Sequence, residues 1–262
     1  MVGSIIGDIC GSIYEFQNDR RKDIELFKAG SSFTDDTVMT VATARAILEK
    51  KEFGPMYHGY GNMFPNRGYG GMFKQWLAAP TVQPAYNSYG NGSAMRVSPI
   101  GFLGSKTDDI DTIMALAKLS AECTHSHPEG IKGAQAIAMC IYLANKGKSK
   151  AKIKSAIETA FQYDLNFKIA ELSLTYKFNE TCQGSVPQAI VCFLESENFE
   201  DAIRNAIFLG GDCDTTGAMV GGIAQAFYKG IPNWMLKKMD ELLDPQLAVV
   251  AKEFSDKYDI QY

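Results

Sequence analysis

Thr34-Asp35-Asp36-Thr37-Val38-Met39-Thr40-Val41-Ala42-Thr43-Ala44-Arg45-Ala46-Ile47-Leu48-Glu49-Lys50 is the stretch whose reading decides the fold. From Thr37 to Lys50, Val38, Val41, Ala42 and Leu48 fall on one helical face. Met39, Ala44, Ala46 and Ile47 widen the apolar surface, and Arg45 interrupts it. A helix apolar on most sides is a buried helix. The same period predicts helices over 108–121, 129–146, 150–162, 187–196, 199–209, 214–229 and 233–254. Pro187 and Pro232 fall near the starts of their segments, where a missing N–H costs little. No series of alternating strands is present. The expectation is an all-α protein, a single globular many-helix domain spanning 1–262 without linkers or low-complexity segments.

Two further regions stand apart. At the N-terminus Gly3, Gly7 and Gly11 recur every fourth residue. On a helix they form a smooth stripe against which a second backbone can lie closely. Asp8 and Glu15, seven apart, would point to nearly the same side, and two acids on so apolar a helix are costly to bury unpaired. Either they reach solvent at one edge or they line a polar cavity. The stretch 53–107 is rich in Gly, Asn, Tyr and Pro, and reads as loops with two short helices. It has no acidic residue but contains Arg67, Lys74, Arg96 and Lys106, a local cationic segment in an acidic chain. Loops on a rigid scaffold often bind ligands.

Bulk properties narrow the function. With 262 residues, 46% hydrophobic and 21% charged, the chain can bury a core without staples. Its net charge of −4 argues against non-specific grip on nucleic acid. The six cysteines are scattered without a CxxC pair, several in apolar runs, and read as reduced thiols of a cytoplasmic protein. No basic leader precedes the first apolar run, Asp8 interrupts that run, and no apolar stretch reaches membrane-spanning length.

The chemistry sits in two acidic knots, Thr34-Asp35-Asp36-Thr37 and Asp212-Cys213-Asp214-Thr215-Thr216-Gly217. Each opens a predicted helix. Singly, each is explained as helix capping, with Thr as N-cap and acids complementing the dipole. Gly210-Gly211 before the second knot lets the backbone turn sharply and approach a ligand. Brought together, the knots would supply six oxygen ligands without thiolate or imidazole, a set suited to magnesium, manganese or calcium. Four clustered carboxylates repel one another unless cations separate them, so a two-metal oxygen site is expected. An EF-hand is rejected because its twelfth position would be Ile223. The DxDxT pattern resembles the nucleophile loop of haloacid dehalogenase-type phosphatases, but that loop follows a strand early in an α/β domain. His125 and His127 form an HxH without further soft ligands for zinc, and His125 is the candidate ligand contact. No nucleophile elbow, Walker-A loop or triad is evident.

With these residues in view, the chain resembles the ADP-ribosylglycohydrolase family over almost its whole length. The resemblance rests on Gly7-Asp8-Ile9-Cys10-Gly11-Ser12-Ile13-Tyr14-Glu15, Phe33-Thr34-Asp35-Asp36-Thr37 and Arg67-Gly68-Tyr69-Gly70. It continues through Ser88-Tyr89-Gly90-Asn91-Gly92-Ser93-Ala94-Met95-Arg96, Thr124-His125 and Gly210-Gly211-Asp212-Cys213-Asp214-Thr215. It implies an all-α fold with a binuclear centre of two Mg2+, with Mn2+ as substitute. It implies Thr34, Asp35, Asp36, Asp212, Asp214 and Thr215 as metal ligands and Glu15 beside the metals and the scissile ribose. It aligns Gly70, Ser88, Tyr89, Gly90, Asn91, Gly92 and His125 with segments that hold diphosphate and ribose. Some arginine-specific members use a further aspartate from the middle loop, and 53–107 has none.

The resemblance leads to hydrolysis of the C1″ bond between ADP-ribose and a modified acceptor, with Glu15 moving a proton or positioning water. The acceptor stays open between protein, nucleic acid and small molecule, and a monomer is the default expectation. Two rivals remain: a two-metal phosphohydrolase acting on a nucleotide diphosphate, and a non-catalytic ADP-ribose-binding or immunity module.

Overall fold

A computed structural model describes residues 1–262. Fifteen α-helices follow in order: α1 (Val2–Gly11), α2 (Asp35–Glu49), α3 (Phe53–Met63), α4 (Gly71–Ala78), α5 (Gly92–Met95), α6 (Ser98–Phe102), α7 (Ile110–Glu122), α8 (Pro128–Asn145), α9 (Lys150–Phe161), α10 (Ile169–Leu172), α11 (Cys182–Leu194), α12 (Phe199–Leu209), α13 (Cys213–Tyr228), α14 (Asn233–Leu242) and α15 (Pro245–Lys257). There are no strands, only an isolated bridge between Gly90 and Thr181. The all-α expectation holds.

The architecture is organised by one helix pair. Every residue of α1 is buried, as is every residue of α13 from Cys213 to Ala226. The two run antiparallel in backbone contact. A Cβ on Gly3 would stand 2.2 Å from the Gly221 carbonyl oxygen, one on Gly7 1.9 Å from that of Gly217, and one on Gly11 2.2 Å from that of Cys213. These are distances no side chain survives. The stripe at Gly3, Gly7 and Gly11 therefore meets a matching surface on α13, with Gly217 and Gly221 closing the same contacts from the other side. The remaining helices pack round this pair over one continuous apolar core.

Several expected boundaries shift. α1 ends at Gly11, so Glu15 lies in the turn beyond it and does not share a helical face with Asp8. The helix expected from Pro187 starts at Cys182, capped by Thr181, and Pro187 sits inside it. The helix expected over 233–254 is two: α14 stops at Leu242, Asp244 caps α15 and Pro245 opens it. The stretch 53–107 is far more helical than two short helices, carrying α3 to α6 and a 3₁₀ turn at Leu103–Ser105. Tertiary contacts override its glycines. Tyr57 is wholly buried beneath the Arg96 guanidinium, 3.9 Å from ring to cation, with its hydroxyl 2.9 Å from Thr43 Oγ1. The cationic segment also dissolves as a unit. Arg67 lies over the Phe33 ring, Lys74 is exposed, and Lys106 pairs with Asp259, leaving Arg96 to reach the interior.

Because the α1–α13 contact has no room for a methyl group, Gly7→Ala is expected to destabilise by more than about 3 kcal/mol or to abolish soluble expression. Gly59→Ala, on α3 with nothing near its would-be Cβ, is expected to be neutral or to gain up to about 1 kcal/mol. Denaturant titration of both variants checks the contrast.

Candidate active site

The antiparallel pairing sets the C-terminal end of α1 against the N-terminus of α13. The N-terminus of α2 joins them through Asp8. Its carboxylate accepts from Thr34 N (2.9 Å), Thr34 Oγ1 (2.7 Å), Thr37 N (3.0 Å) and Thr37 Oγ1 (2.5 Å). Asp8 is thus a buried, fully satisfied acid that ties one helix to the start of another. The sequence marked it as costly but did not place it among the site residues.

The two knots come together as expected. Thr34 is the N-cap of α2, with Asp35 and Asp36 in the first turn. Asp212 is the N-cap residue of α13, with Asp214 in its first turn. Thr215 Oγ1 donates to Asp36 Oδ2 at 3.2 Å, linking the knots directly. One carboxylate oxygen from each of Asp8, Asp36 and Asp214 lies within 4.8 Å of the others, and so does one from each of Glu15, Asp212 and Asp214. Asp214 belongs to both triads. Glu15 therefore joins the carboxylate cluster itself. Asp35 belongs to neither triad but opens onto the same cleft, its amide held by the Arg67 carbonyl at 2.7 Å.

The electrostatics of this cluster call for cations. Burial, and then the charge of neighbouring acids, pushes Asp35, Asp36 and Asp214 well above the usual carboxylate range. Burial raises Asp8 and Asp212 to about 6, against the pull of their hydrogen bonds. Glu15 is raised to about 8, by burial first and then by Asp214 and Asp8. One oxygen, Asp36 Oδ1, is buried with no partner. A buried carboxylate oxygen left bare beside further oxygens fits a hard divalent cation.

The cleft above the cluster has a volume of about 690 Å³, within the range of small-molecule sites. Its far wall is the turn Ser88–Gly92, which the Gly90–Thr181 bridge and the Asn91 N to Glu180 O bond (2.8 Å) fasten in place. Ser88 Oγ accepts from Gly90 N at 3.0 Å, and Asn91 Nδ2 donates to Asp212 Oδ2 at 2.7 Å, joining the turn to the acidic cluster. Tyr89 is about half exposed, edge-on to His127, whose Nδ1 caps α8. Gly70, the N-cap residue of α4, faces open space.

His125 is buried beneath the turn, and a Cβ on Gly92 would come 3.0 Å from its Nε2. Its pKa falls well below the ordinary value, through burial and then the charge of Arg96, so the ring is neutral. Arg96 Nη2 donates to Thr124 Oγ1 at 2.9 Å, and that oxygen is 2.8 Å from His125 Nδ1.

Sequence reading missed the brace behind Asp212. Gly210 and Gly211 both have positive φ (80° and 78°). Asn18 grips this turn, accepting from Gly211 N at 2.7 Å and donating to the carbonyls of Tyr14 (2.7 Å), Glu15 (3.1 Å) and Gly211 (3.3 Å). Arg20 sits alongside, donating to the carbonyls of Ser173, Tyr176 and Leu209. Every partner is distant in sequence or on the backbone, so no local motif could signal either residue.

Known proteins resemble the chain throughout. A family model described as ADP-ribosylglycohydrolase matches residues 1–261. The human ADP-ribosylhydrolase ARH3 is 30% identical over an alignment, gaps included, of 307 positions that covers 87% of this chain and 84% of its own. ADP-ribosyl-[dinitrogen reductase] glycohydrolase of Rhodospirillum rubrum is 24% identical over 94% of this chain and 90% of its own. A solved ADP-ribosylglycohydrolase-related protein complex superposes with a TM-score of 0.72 at 22% identity, covering 97% of this chain and 95% of that one.

Two outcomes follow from the site's construction. The raised acids hold more protons folded than unfolded between about pH 4, the unfolded value, and about pH 8, the Glu15 value. Stability in chelator should therefore fall as pH rises through that window. Added magnesium should raise the melting temperature more at pH 8 than at pH 5. An equal effect at both would contradict it. Asn18→Ala should destabilise by about 1–3 kcal/mol and raise the magnesium concentration giving half of that thermal shift.

Proposed function

Because the chain belongs to the ADP-ribosylglycohydrolase family, and is a hydrolase of ADP-ribosyl glycosidic bonds, we propose a metal-dependent enzyme that cleaves the C1″ bond between ADP-ribose and a modified acceptor. The observation carrying this reading is the pair of carboxylate triads sharing Asp214, together with the buried, unpartnered Asp36 Oδ1. Thr34, Asp35, Asp36, Asp212, Asp214 and Thr215 would hold two divalent cations, magnesium by donor chemistry and manganese as substitute. Bound there, the cations supply charge neutralisation and Lewis acidity beside the ribose hydroxyls.

The chain's own residues supply the rest. The Ser88–Gly92 turn and the neutral His125 ring would face the anionic diphosphate on this wall. Gly70 leaves open space at its own position on the cleft. Cleavage passes through an oxocarbenium-like state, with positive charge at C1″. The carboxylates of Glu15, Asp212 and Asp214 lie close enough together to stabilise that charge. Glu15 lies only half-buried at the edge of the cluster, so it is the group able to carry a proton between water and the departing acceptor. Residues 1–262 act as one domain in this scheme, since one apolar core underlies the whole cleft. No helix is long and apolar enough to cross a membrane.

Incubation with ADP-ribosylated substrates, in magnesium or in chelator, tests the assignment. Free ADP-ribose is expected in magnesium and none in chelator. Asp35→Ala and Asp212→Ala should each lower turnover by at least about 10²-fold. Release of AMP and ribose phosphate, or full activity of Asp212→Ala in chelator, would contradict it.

A further inference from the structure

Resting on the function proposed above, we propose that Phe16 and Phe178 form the acceptor-facing lip of the cleft. They select polypeptide acceptors that carry an apolar side chain beside the modified residue. Phe16 is 81% and Phe178 46% exposed, and neither joins the core. Their rings stack on each other at 5.8 Å, 22° from parallel. Single exposed apolar residues are ordinary, but a stacked aromatic pair adjoining a cleft forms a contiguous apolar contact surface. Phe178 lines the cleft and Phe16 directly follows Glu15, which lines it too.

The pair is presented by a braced backbone. Asn18 holds the Glu15 carbonyl, Arg20 holds that of Tyr176, and the Glu180 carbonyl accepts from Asn91 N. Both sides of the lip are thus fastened to the same framework as the acidic cluster.

Position identifies what the lip touches. The diphosphate would lie along Ser88–Gly92, and Glu15 marks the reacting bond. ADP-ribose ends at C1″, so what extends past Glu15 over Phe16 is the acceptor. Charge identifies its class. Arg21 pairs with Asp19 at 2.8 Å, Lys22 pairs with Asp201 at 3.3 Å, and Arg20 is turned inward onto carbonyls. Lys177, beside Phe178, is exposed and forms no ion pair, but a single such lysine is not the row of cations that a phosphate backbone takes.

The test uses the full-length chain and a Phe16→Ala/Phe178→Ala double variant, whose melting temperature should match wild type because both rings are outside the core. Mono-ADP-ribosylated peptides, arginine-linked and serine-linked, are made in pairs differing by Leu or Gly beside the modified residue. A mono-ADP-ribosylated oligonucleotide and free ADP-ribose complete the set. Wild type should show kcat/KM about tenfold higher for Leu than Gly peptides, and the double variant should lose that preference. Affinity for free ADP-ribose should be unchanged. Equal wild-type rates on the paired peptides, a preference surviving in the variant, weakened ADP-ribose binding, or turnover of the oligonucleotide with inert peptides would each overturn the proposal. Failure of wild type to release ADP-ribose from any substrate would instead overturn the functional reading beneath it.

Discussion

The contact between the backbones of α1 and α13 is the constraint on which the rest depends. Helices that touch through glycine approach more closely than side chains allow, and their register is set by which glycines meet. With Gly7 on Gly217 and Gly3 on Gly221, the end of α1 must lie at the start of α13. That register carries Asp8 to the N-terminus of α2 and leaves Glu15 facing Asp212 and Asp214. The acids that meet there come from three separate parts of the chain. Two of the three bring helix N-termini, whose positive dipole ends offset part of the repulsion.

The acids divide by how they are satisfied. Asp8 accepts four hydrogen bonds and works as a fastening. Asp212 takes one from Asn91. Asp36 leaves an oxygen bare in the interior. Such an arrangement is unfavourable as a purely structural device, since removing charge from the interior would be simpler than crowding it. It makes sense if cations complete it. The opposite wall differs: it is built from glycine, the Ser88–Gly92 turn and a neutral imidazole. A cleft with a cation-seeking floor and an anion-tolerant wall matches a molecule whose sugar and diphosphate need different treatment.

Much of this was legible along the chain. The period over 37–50 announced a buried helix, and the glycine stripe announced a backbone contact, because both are local patterns. The knots were legible as a pair because the same chemistry occurs twice. The partner stripe at Gly217 and Gly221 escaped notice, since its helix is apolar all round and no face stands out. The segment 53–107 was misread because the buried Tyr57 under Arg96 anchors helices that its glycines disfavour. Pro245 broke a helix that apolar spacing alone carried through, while Pro187 was absorbed into one. Glu15 reached the site from a turn, not from a helical face. Asn18 and Arg20 bind backbone atoms far away in sequence, information no local pattern holds.

The central claim is that the acids of α2, α13 and the Glu15 turn enclose a pair of cations. Crystals grown in manganese and measured for anomalous scattering test it most directly. The account predicts two peaks about 3.5–4 Å apart, between the carboxylates of Asp36 and Asp212 and touching Asp214. A cleft without peaks at saturating manganese, or peaks confined to surface acids, would contradict it.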